Sequence, residues 1–531
     1  MAAMSKPTAN TENTASDPNE LDRQMASLVQ ENKELKRQLD WFKKQIFGQK
    51  SEKRSLIDHP DQISLLAAAA AAESPSKTDQ TEATKKPRGT AKKQRPEDCV
   101  NDSGLRFDDS VPVEVIQLMP SELTGPDADL YEIIGSKSTY RIAQRTASYV
   151  ILEYQRPVFK RKGTDKPLPS LAPENVLDRS VADVSLLVGL LVDKFQYHLP
   201  LYRQHQRLTE AGITLSRSTL TNLVKRAIDL LKPIVAAQLK NVLLSRVLAM
   251  DETPIKAGKT GKGKMNQAWF WPLYGEQDEV VFTFSKSRGR QHIETVLGQS
   301  FQGTLLSDGH SAYTSYVQKN QKLTQAQCWV HSRRQFVEAE QSEPEAVAQA
   351  LDYIGKLYQL DTELKQQPDL SLEKRREYRL THCKPVVDAF FEWCHEQLHR
   401  PDLLPKDPLA KALGYVRRRE HELRVFLEEP DVQMDTNHLE RALRPIPMGR
   451  KSWLFCWSEL GAEHVGVIQS LITTCKLHDI NPYVYLTDVL LRVGDHPAKE
   501  VQELTPRLWK ERFGANPRQS DLYMACNHAL E

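Results

Sequence analysis

The amino-acid sequence predicts a multidomain α/β protein with a core that contains a sheet and a long helical segment. Short apolar runs, separated by turns and one helical stretch, occupy residues 245–336 and predict a small sheet. Helical periodicity dominates residues 337–430, and a further segment with helical character follows at 431–490. A seven-residue apolar repeat predicts an N-terminal coiled coil at 20–55.

The composition argues against a secreted or membrane protein. The 531 residues are enough for about two to four domains, and the net charge of +2 means that any DNA-binding surface must be local. Seven cysteines without a CxxC pair favour a reducing compartment. The N-terminus lacks an apolar signal-peptide core, and the apolar run at 186–192 is too short to cross a bilayer. We therefore expect a cytoplasmic protein with no membrane role.

The N-terminal region begins with a polar segment, 1–19, that is predicted to be disordered. Two series of residues with seven-residue spacing follow it: Leu21, Leu28, Leu35 and Phe42, and Met25, Asn32, Leu39 and Ile46. The second series takes heptad position a and the first takes d. The segment 21–46 therefore predicts a homodimer or higher oligomer. A single amphipathic helix packed on its own chain is the alternative.

Two further segments precede the helical region. Residues 56–104 contain six consecutive alanines and several basic residues, which predicts a flexible basic linker. Residues 105–170 alternate apolar and polar side chains, which predicts a small β-rich module. At the other end of the chain, residues 491–531 are predicted to be a C-terminal tail.

Residues 171–244 are predicted to be helical, with a turn at Gly212 and a following helix capped by Ser216 or Ser218. This order is typical of a helix-turn-helix, whose second helix enters a DNA groove. The basic side chains on this pair are candidate DNA contacts: Arg203, Arg207, Arg217 and Lys225. A plain helical hairpin without DNA contacts is the alternative.

The region 245–336 has the element order of a ribonuclease-H-like fold. Strands are predicted at 247–250, 269–274, 279–284, 304–307 and 325–329. A loop rich in glycine and lysine is predicted at 256–264, and a helix at 289–299. The first three strands would be antiparallel, and the first and fourth would lie side by side.

The first and fourth predicted strands each end in an aspartate, Asp251 and Asp308. Adjacent strands would bring the two carboxylates together, where they repel unless a cation neutralises them. Hard divalent ions such as Mg²⁺ prefer oxygen ligands, and two of them can activate an attacking oxygen and stabilise a leaving one. A turn or capping role would be the interpretation of either aspartate alone. The pair in this element order predicts a catalytic site.

A third carboxylate, Glu440, is expected from a helix that starts near residue 435 or 436. Such a helix would place basic residues on neighbouring faces, among them Arg441 and Arg444. A basic and then aromatic segment, 449–455, follows and includes Arg450 and Lys451. This segment predicts phosphate contacts and base stacking, although its aromatic residues also fit a core position.

Eight segments of the chain match one family in their order: 45–53, 198–204, 250–254, 308–313, 328–336, 437–455, 470–485 and 504–509. Together they resemble bacterial transposases of the insertion-sequence-66 family, within the Asp-Asp-Glu superfamily. The resemblance implies that Asp251, Asp308 and Glu440 are the catalytic and metal-binding acids, with two Mg²⁺ or Mn²⁺ ions. It also implies that a helical insertion, 337–430, interrupts the catalytic core, whose last part is 431–490. Arg333 and Arg334 lie in the fifth segment and are further candidate DNA contacts.

The chain departs from the family in one respect that concerns zinc. Many members carry a cysteine-rich zinc module, but the matching stretch, 105–165, contains no cysteine, so zinc is not expected. Cys328 and His331 have ligand-like spacing, yet only two ligands are visible, which favours a packed cysteine and a histidine bonded to backbone.

The function expected from these observations is that of a DNA transposase. It would cleave the terminal inverted repeats of its element and join the 3′-hydroxyl to target DNA, with small companion proteins as further partners. One alternative is a nuclease of the same fold that cleaves without strand transfer. The other is a domesticated remnant that binds DNA without catalysis, although all three acids are present.

Overall fold

The computed structural model describes residues 105–528, apart from 146–147, 169–172, 262–263, 299–300, 368, 454–455 and 457. The predicted disordered segment, coiled coil and basic linker, at 1–104, lie outside the described residues. The described part is a mixed α/β structure with three sheets, in which helices predominate.

The β-rich module begins the described part of the chain. Its elements are β1 (Arg106–Phe107), β2 (Val113–Gln117), α1 (Ser121–Thr124), a 3₁₀ turn (Ala128–Leu130), β3 (Tyr131–Arg145) and β4 (Ser148–Arg161). Strand β4 lies between β2, which it pairs in parallel, and β3, which it pairs in antiparallel orientation. The sheet therefore rests on one long hairpin, with β2 added along its second strand.

The helical region follows with α2 (Val184–Phe195), α3 (Leu201–Glu210), β5 (Ile213–Thr214) and α4 (Arg217–Val242). The turn between α3 and α4 passes through Gly212, whose φ of 79° favours glycine. Ser216 caps α4, because its hydroxyl accepts a hydrogen bond from the Thr219 amide, so the first of the two predicted caps is confirmed. The short β5 pairs with β1, which joins this turn to the β-rich module.

The central sheet has six strands: β6 (Val247–Met250), β7 (Thr253–Gly261), β8 (Lys264–Tyr274), β9 (Val280–Ser285), β10 (Gly303–Ser307) and β11 (Leu323–Gln327). Three helices belong to the same region: α5 (Arg290–Leu297), α6 (Ser311–Val317) and α7 (Trp329–Ala339). The spatial order is β9-β8-β6-β10-β11, with β7 also paired to β8. Strands β6, β10 and β11 are parallel, whereas β8 is antiparallel to its neighbours.

Strands β6 and β7 act as one interrupted strand along β8. Ala249 pairs with Tyr274 and Thr253 with Phe270, so the register is the same on both sides of residues 251–252. The prediction of a loop at 256–264 was wrong, because β7 and β8 form a hairpin there. Glycine and lysine in this stretch favoured a loop, but cross-strand pairing outweighs that local preference.

The predicted strand at 325–329 was too long at its C-terminal end. Strand β11 stops at Gln327, and Trp329 begins α7 with its side chain fully buried. Its indole Nε1 donates to the Leu423 carbonyl at 3.0 Å, and its ring packs against Phe390 and Phe426. An apolar residue after a strand therefore belongs to the core of the insertion here.

The insertion consists of α8 (Pro344–Lys365), α9 (Leu372–Tyr378), a π-helical turn (Arg379–Cys383), α10 (Lys384–Leu398), α11 (Pro408–Arg417) and α12 (Glu420–Glu428). Its two ends meet. The Trp329 amide donates to the Met434 carbonyl at 3.0 Å, and Thr436 donates from both its amide and its hydroxyl to the Cys328 thiol. The chain thus returns to the sheet next to the place where it left.

The remaining helices are α13 (Asn437–Leu443), α14 (Pro445–Trp453), α15 (Glu459–Leu477), α16 (Pro482–Arg492), a 3₁₀ turn (Ala498–Leu504), α17 (Pro506–Arg512) and α18 (Asp521–His528). The predicted tail thus contains helices where it is described. Its last helix covers the β-rich module, where Leu522 packs with Val150 and Leu152. Among the described residues, no helix combines the length and apolar character needed to span a bilayer.

Strand β9 lies at the edge of the central sheet, and α15 covers its free side. The Ser470 and Thr474 hydroxyls accept hydrogen bonds from the Phe282 and Val280 amides, at 2.9 and 3.1 Å. One turn earlier, Gly466 lies against the Phe282 carbonyl. Small residues spaced by four on α15 thus bond to or cover the backbone of β9, which would otherwise be open to pairing with another strand.

Gly466→Ala should destabilise the protein, because a Cβ at this position would lie only 2.6 Å from the Phe282 carbonyl oxygen. We expect a loss of about 1–3 kcal/mol in the free energy of unfolding, measured by denaturant titration. Gly355→Ala, in α8, is the control, because a Cβ there meets nothing within 4 Å. Equal stability of the two variants would contradict this account of the covered edge.

Candidate active site

Two aspartates meet at one end of the central sheet. Strands β6 and β10 pair in parallel from Thr304 with Val247 to Leu306 with Ala249, and each is followed shortly by an acid. Asp251 and Asp308 accordingly lie close together. Both belong to a cluster of carboxylates in which one oxygen from each residue lies within 4.8 Å of those from the others. The structure therefore places these two predicted site residues side by side.

Glu252 is the third member of this cluster and was not singled out from the sequence. Its side chain is only 1% exposed, and both of its oxygens have partners. Arg288 contacts Oε1 at 2.6 Å, and the Tyr313 hydroxyl donates to Oε2 at 2.7 Å. Its place directly after Asp251 was the available signal, but neighbouring side chains on a regular strand point to opposite faces. Residues 251–252 interrupt the strand, which removes that constraint.

Glu440 approaches the cluster from α13. The helix begins at Asn437, within two residues of the predicted start, and the Glu440 amide bonds to the Thr436 carbonyl at 2.8 Å. Its carboxylate lies 3.9 Å from Nε2 of His331, and its charge contributes to the titration of Asp251. Glu440 is not part of the tight cluster, so the site holds three close carboxylates and a fourth beside them.

These surroundings shift the pKa of Asp251. Burial, followed by the charges of Asp308 and Glu252, raises the pKa of the Asp251 carboxyl to about 7. The Glu252 amide, which donates to Asp251 Oδ1 at 2.7 Å, opposes this shift. The carboxylates of the site therefore repel one another at neutral pH. A bound cation would reduce this repulsion.

His331 and Cys328 have different partners. Burial lowers the pKa of His331, although the charges of Asp308 and Glu440 oppose this. The imidazole therefore faces the acids, whereas the Cys328 thiol accepts hydrogen bonds from Thr436. The ligand-like spacing of the two residues does not bring them to a common partner.

Comparison with known proteins identifies the family. A family model described as transposase IS66 family matches residues 179–464, which is more than half of the chain and includes all four acids. The chain belongs to the IS66 transposase family. An IS66 C-terminal element matches residues 470–507, and a model described as transposase C of IS166 homeodomain matches residues 34–116.

Two relatives of this transposase come from Sinorhizobium fredii (strain NBRC 101917 / NGR234). The uncharacterized protein y4hP is 28% identical over 404 residues, which cover 72% of each chain. The uncharacterized protein y4jD is 30% identical over 356 residues, which cover 64% of this chain and 68% of its own. Both proteins are similar to this chain along most of their own length.

The basic residues predicted near the acids lie on three helices of the transposase. Arg441 on α13, Lys451 on α14 and Arg444 between these two helices are exposed, as are Arg333 and Arg334 on α7. A further residue of α14, Arg450, donates to the Pro254 carbonyl at the start of β7. That contact ties α14 to the strand that follows Asp251, so these helices border the acid cluster.

The second group of predicted DNA contacts lies on α3 and α4. Arg203 and Lys225 are exposed, and Arg217 is exposed with its guanidinium 5.7 Å from the centre of the Tyr202 ring. Arg207 differs from the others, because its guanidinium pairs with Asp193 at 3.1 Å. The structure therefore engages Arg207 within the fold and leaves the other three side chains at the surface.

Asp251→Asn should stabilise the metal-free protein at alkaline pH. The folded carboxyl titrates near pH 7 and the unfolded one near 3.8, so the folded state holds an extra proton between these values and loses stability as the pH rises through this window. We expect a gain on the order of 3 kcal/mol at pH 8 that shrinks toward pH 4, measured by denaturant titration in EDTA. A gain that does not depend on pH would contradict this assignment.

Proposed function

We propose that this transposase cleaves the ends of its element and joins the freed 3′-hydroxyl to target DNA. The observation that carries the proposal is the carboxylate cluster of Asp251, Glu252 and Asp308, with Glu440 beside it. Carboxylates held this close at the ends of adjacent parallel strands are destabilising unless they bind a cation. Family membership supports the transposase role, and the acids supply its chemistry.

The proposed catalytic core is ribonuclease-H-like, interrupted by the insertion between α7 and α13. The spatial strand order β9-β8-β6-β10-β11 supports this, with three antiparallel strands followed by two parallel ones. Apart from the additional strand β7, the order of strands and helices along the chain agrees with the order predicted from the sequence. The site lies where the first and fourth strands of that core end.

The proposed cofactors are two Mg²⁺ or Mn²⁺ ions, and the donor set fits them because it consists of carboxylate oxygens. Asp251, Asp308 and Glu440 would hold the ions, and the raised pKa of Asp251 is consistent with a missing positive charge. We assign Glu252 a supporting role, because Arg288 and Tyr313 hold its two oxygens in place. When bound, such ions activate the attacking oxygen and stabilise the leaving oxygen.

Other residues of the chain have roles that do not involve metal. Arg288 neutralises Glu252 and limits the repulsion that Asp251 experiences. The exposed Arg441, Arg444 and Lys451 would hold phosphates of the cleaved strand, with Arg450 anchoring α14 to β7. The heptad repeat at 21–46 would join protomers, since two transposon ends must be brought together.

Asp251→Asn, Asp308→Asn and Glu440→Gln should each lower the rate of end cleavage and joining by roughly 100-fold or more, because each removes a metal ligand. Their affinity for the element's terminal repeats should stay within about twofold of wild type. The assay uses labelled duplexes with Mg²⁺ or Mn²⁺, and Glu338→Gln, an exposed carboxylate on α7, is the control.

Glu252→Gln separates support from metal binding. Glu252→Gln should lower thermal stability as well as the rate of DNA cleavage, because the Arg288 ion pair is lost.

The wild-type protein distinguishes the alternative functions. Cleavage without joining by wild type would favour the nuclease alternative. Binding without cleavage, even with companion proteins of the element present, would favour the non-catalytic remnant.

Arg203→Ala should weaken DNA binding more than Arg207→Ala. Arg203 is exposed, so its charge can neutralise a phosphate, whereas the Arg207 guanidinium is paired with Asp193. We expect the slope of log affinity against log salt to fall by about one for Arg203→Ala. The measurement is fluorescence anisotropy at several salt concentrations. Equal losses for the two variants would argue against α3 presenting Arg203 to DNA.

A further inference from the structure

The turn that carries Asp308 is held by two side chains from the insertion. The Tyr415 hydroxyl donates to the Asp308 carbonyl at 2.9 Å. Arg419 donates from Nη2 to the Gly309 carbonyl at 3.2 Å. Both backbone carbonyls of the turn therefore bond to residues more than 100 positions later in the chain.

The two side chains also hold each other. The Arg419 guanidinium stacks on the Tyr415 ring, 3.9 Å from its centre, and Nη1 donates to the Tyr415 carbonyl at 3.2 Å. Tyr415 lies in α11, and Arg419 lies in the turn between α11 and α12. This cation–π pair forms a unit that presents two donors to one turn of the sheet.

Gly309 allows this close approach. Its φ is 85°, and a Cβ there would lie 2.7 Å from Arg419 Nε and 2.8 Å from Gln327 Oε1. The Asp308 carboxylate is oriented by the same turn, since its Oδ1 accepts a hydrogen bond from the His310 amide at 2.8 Å. A shift of the turn would therefore move the carboxylate with it.

We propose that Tyr415 and Arg419 are positioning residues for Asp308, so that the helical insertion sets the metal affinity of the catalytic site. The inference rests on the proposed function, because it assumes that Asp308 binds metal. Removal of groups that orient metal ligands typically lowers metal affinity by about 10- to 100-fold. The insertion then contributes to metal binding by holding the turn that carries Asp308.

The test measures Mn²⁺ binding to the full-length protein by electron paramagnetic resonance of the free ion, without DNA. Tyr415→Phe removes only the hydroxyl that reaches Asp308, and we expect Mn²⁺ affinity to fall by about tenfold. Tyr378→Phe is the matched control, because its hydroxyl bonds to Glu363 within the insertion, at 3.0 Å. Melting temperature and DNA affinity should be the same for both variants.

Arg419→Gln provides a second variant, paired with Arg376→Gln, whose guanidinium contacts Glu428 on the insertion surface. Lower Mn²⁺ affinity for Arg419→Gln alone, with restoration in Arg419→Lys, supports the inference. Wild-type affinity in both Tyr415→Phe and Arg419→Gln, while Asp308→Asn weakens binding, overturns the inference and leaves the proposed function intact. Unchanged affinity in Asp308→Asn overturns the proposed function and the inference together.

Discussion

Three backbone pairs between β6 and β10 hold two carboxylates side by side at the end of the central sheet. The pairing is parallel, so the position of Asp308 relative to Asp251 follows from strand register rather than from any attraction between the side chains. Burial of apolar side chains fixes the register of paired strands, and most residues of β6 and β10 are buried. The fold can therefore carry a repulsive charge cluster that no side-chain contact would assemble.

The repulsion is limited by neighbours that the same fold supplies. Arg288 follows β9, and Tyr313 lies in α6, so elements on both sides of the cluster reach Glu252. Asp251 and Asp308 have no such cationic partner among the described residues, and the charge of Asp308 contributes to the raised pKa of Asp251. Stability is reduced at this point and restored elsewhere, for instance along the covered edge of β9.

Local sequence signals predicted the parts of the site that depend on local structure. Apolar runs ending in acids located Asp251 and Asp308, and a capping hydroxyl located the start of α4. The hairpin of β7 and β8 was missed, because its glycines and lysines favour a loop until pairing with β8 fixes them. Tyr415 was missed for a different reason: its bond to the Asp308 carbonyl joins residues 107 apart, and no spacing rule connects such positions. Glu252 was passed over because strand alternation places it opposite Asp251, and the break at 251–252 is visible only in three dimensions.

The meeting of the two ends of the insertion also affects how the protein is made. During translation, the strands that carry Asp251, Glu252 and Asp308 are synthesised first, and the segment containing Tyr415, Arg419 and Glu440 emerges from the ribosome later. A nascent or prematurely terminated chain that stops before residue 415 has the repelling acids but lacks the later residues that orient and complete them. The full set of acids and supporting side chains is therefore present only after residue 440 has been synthesised.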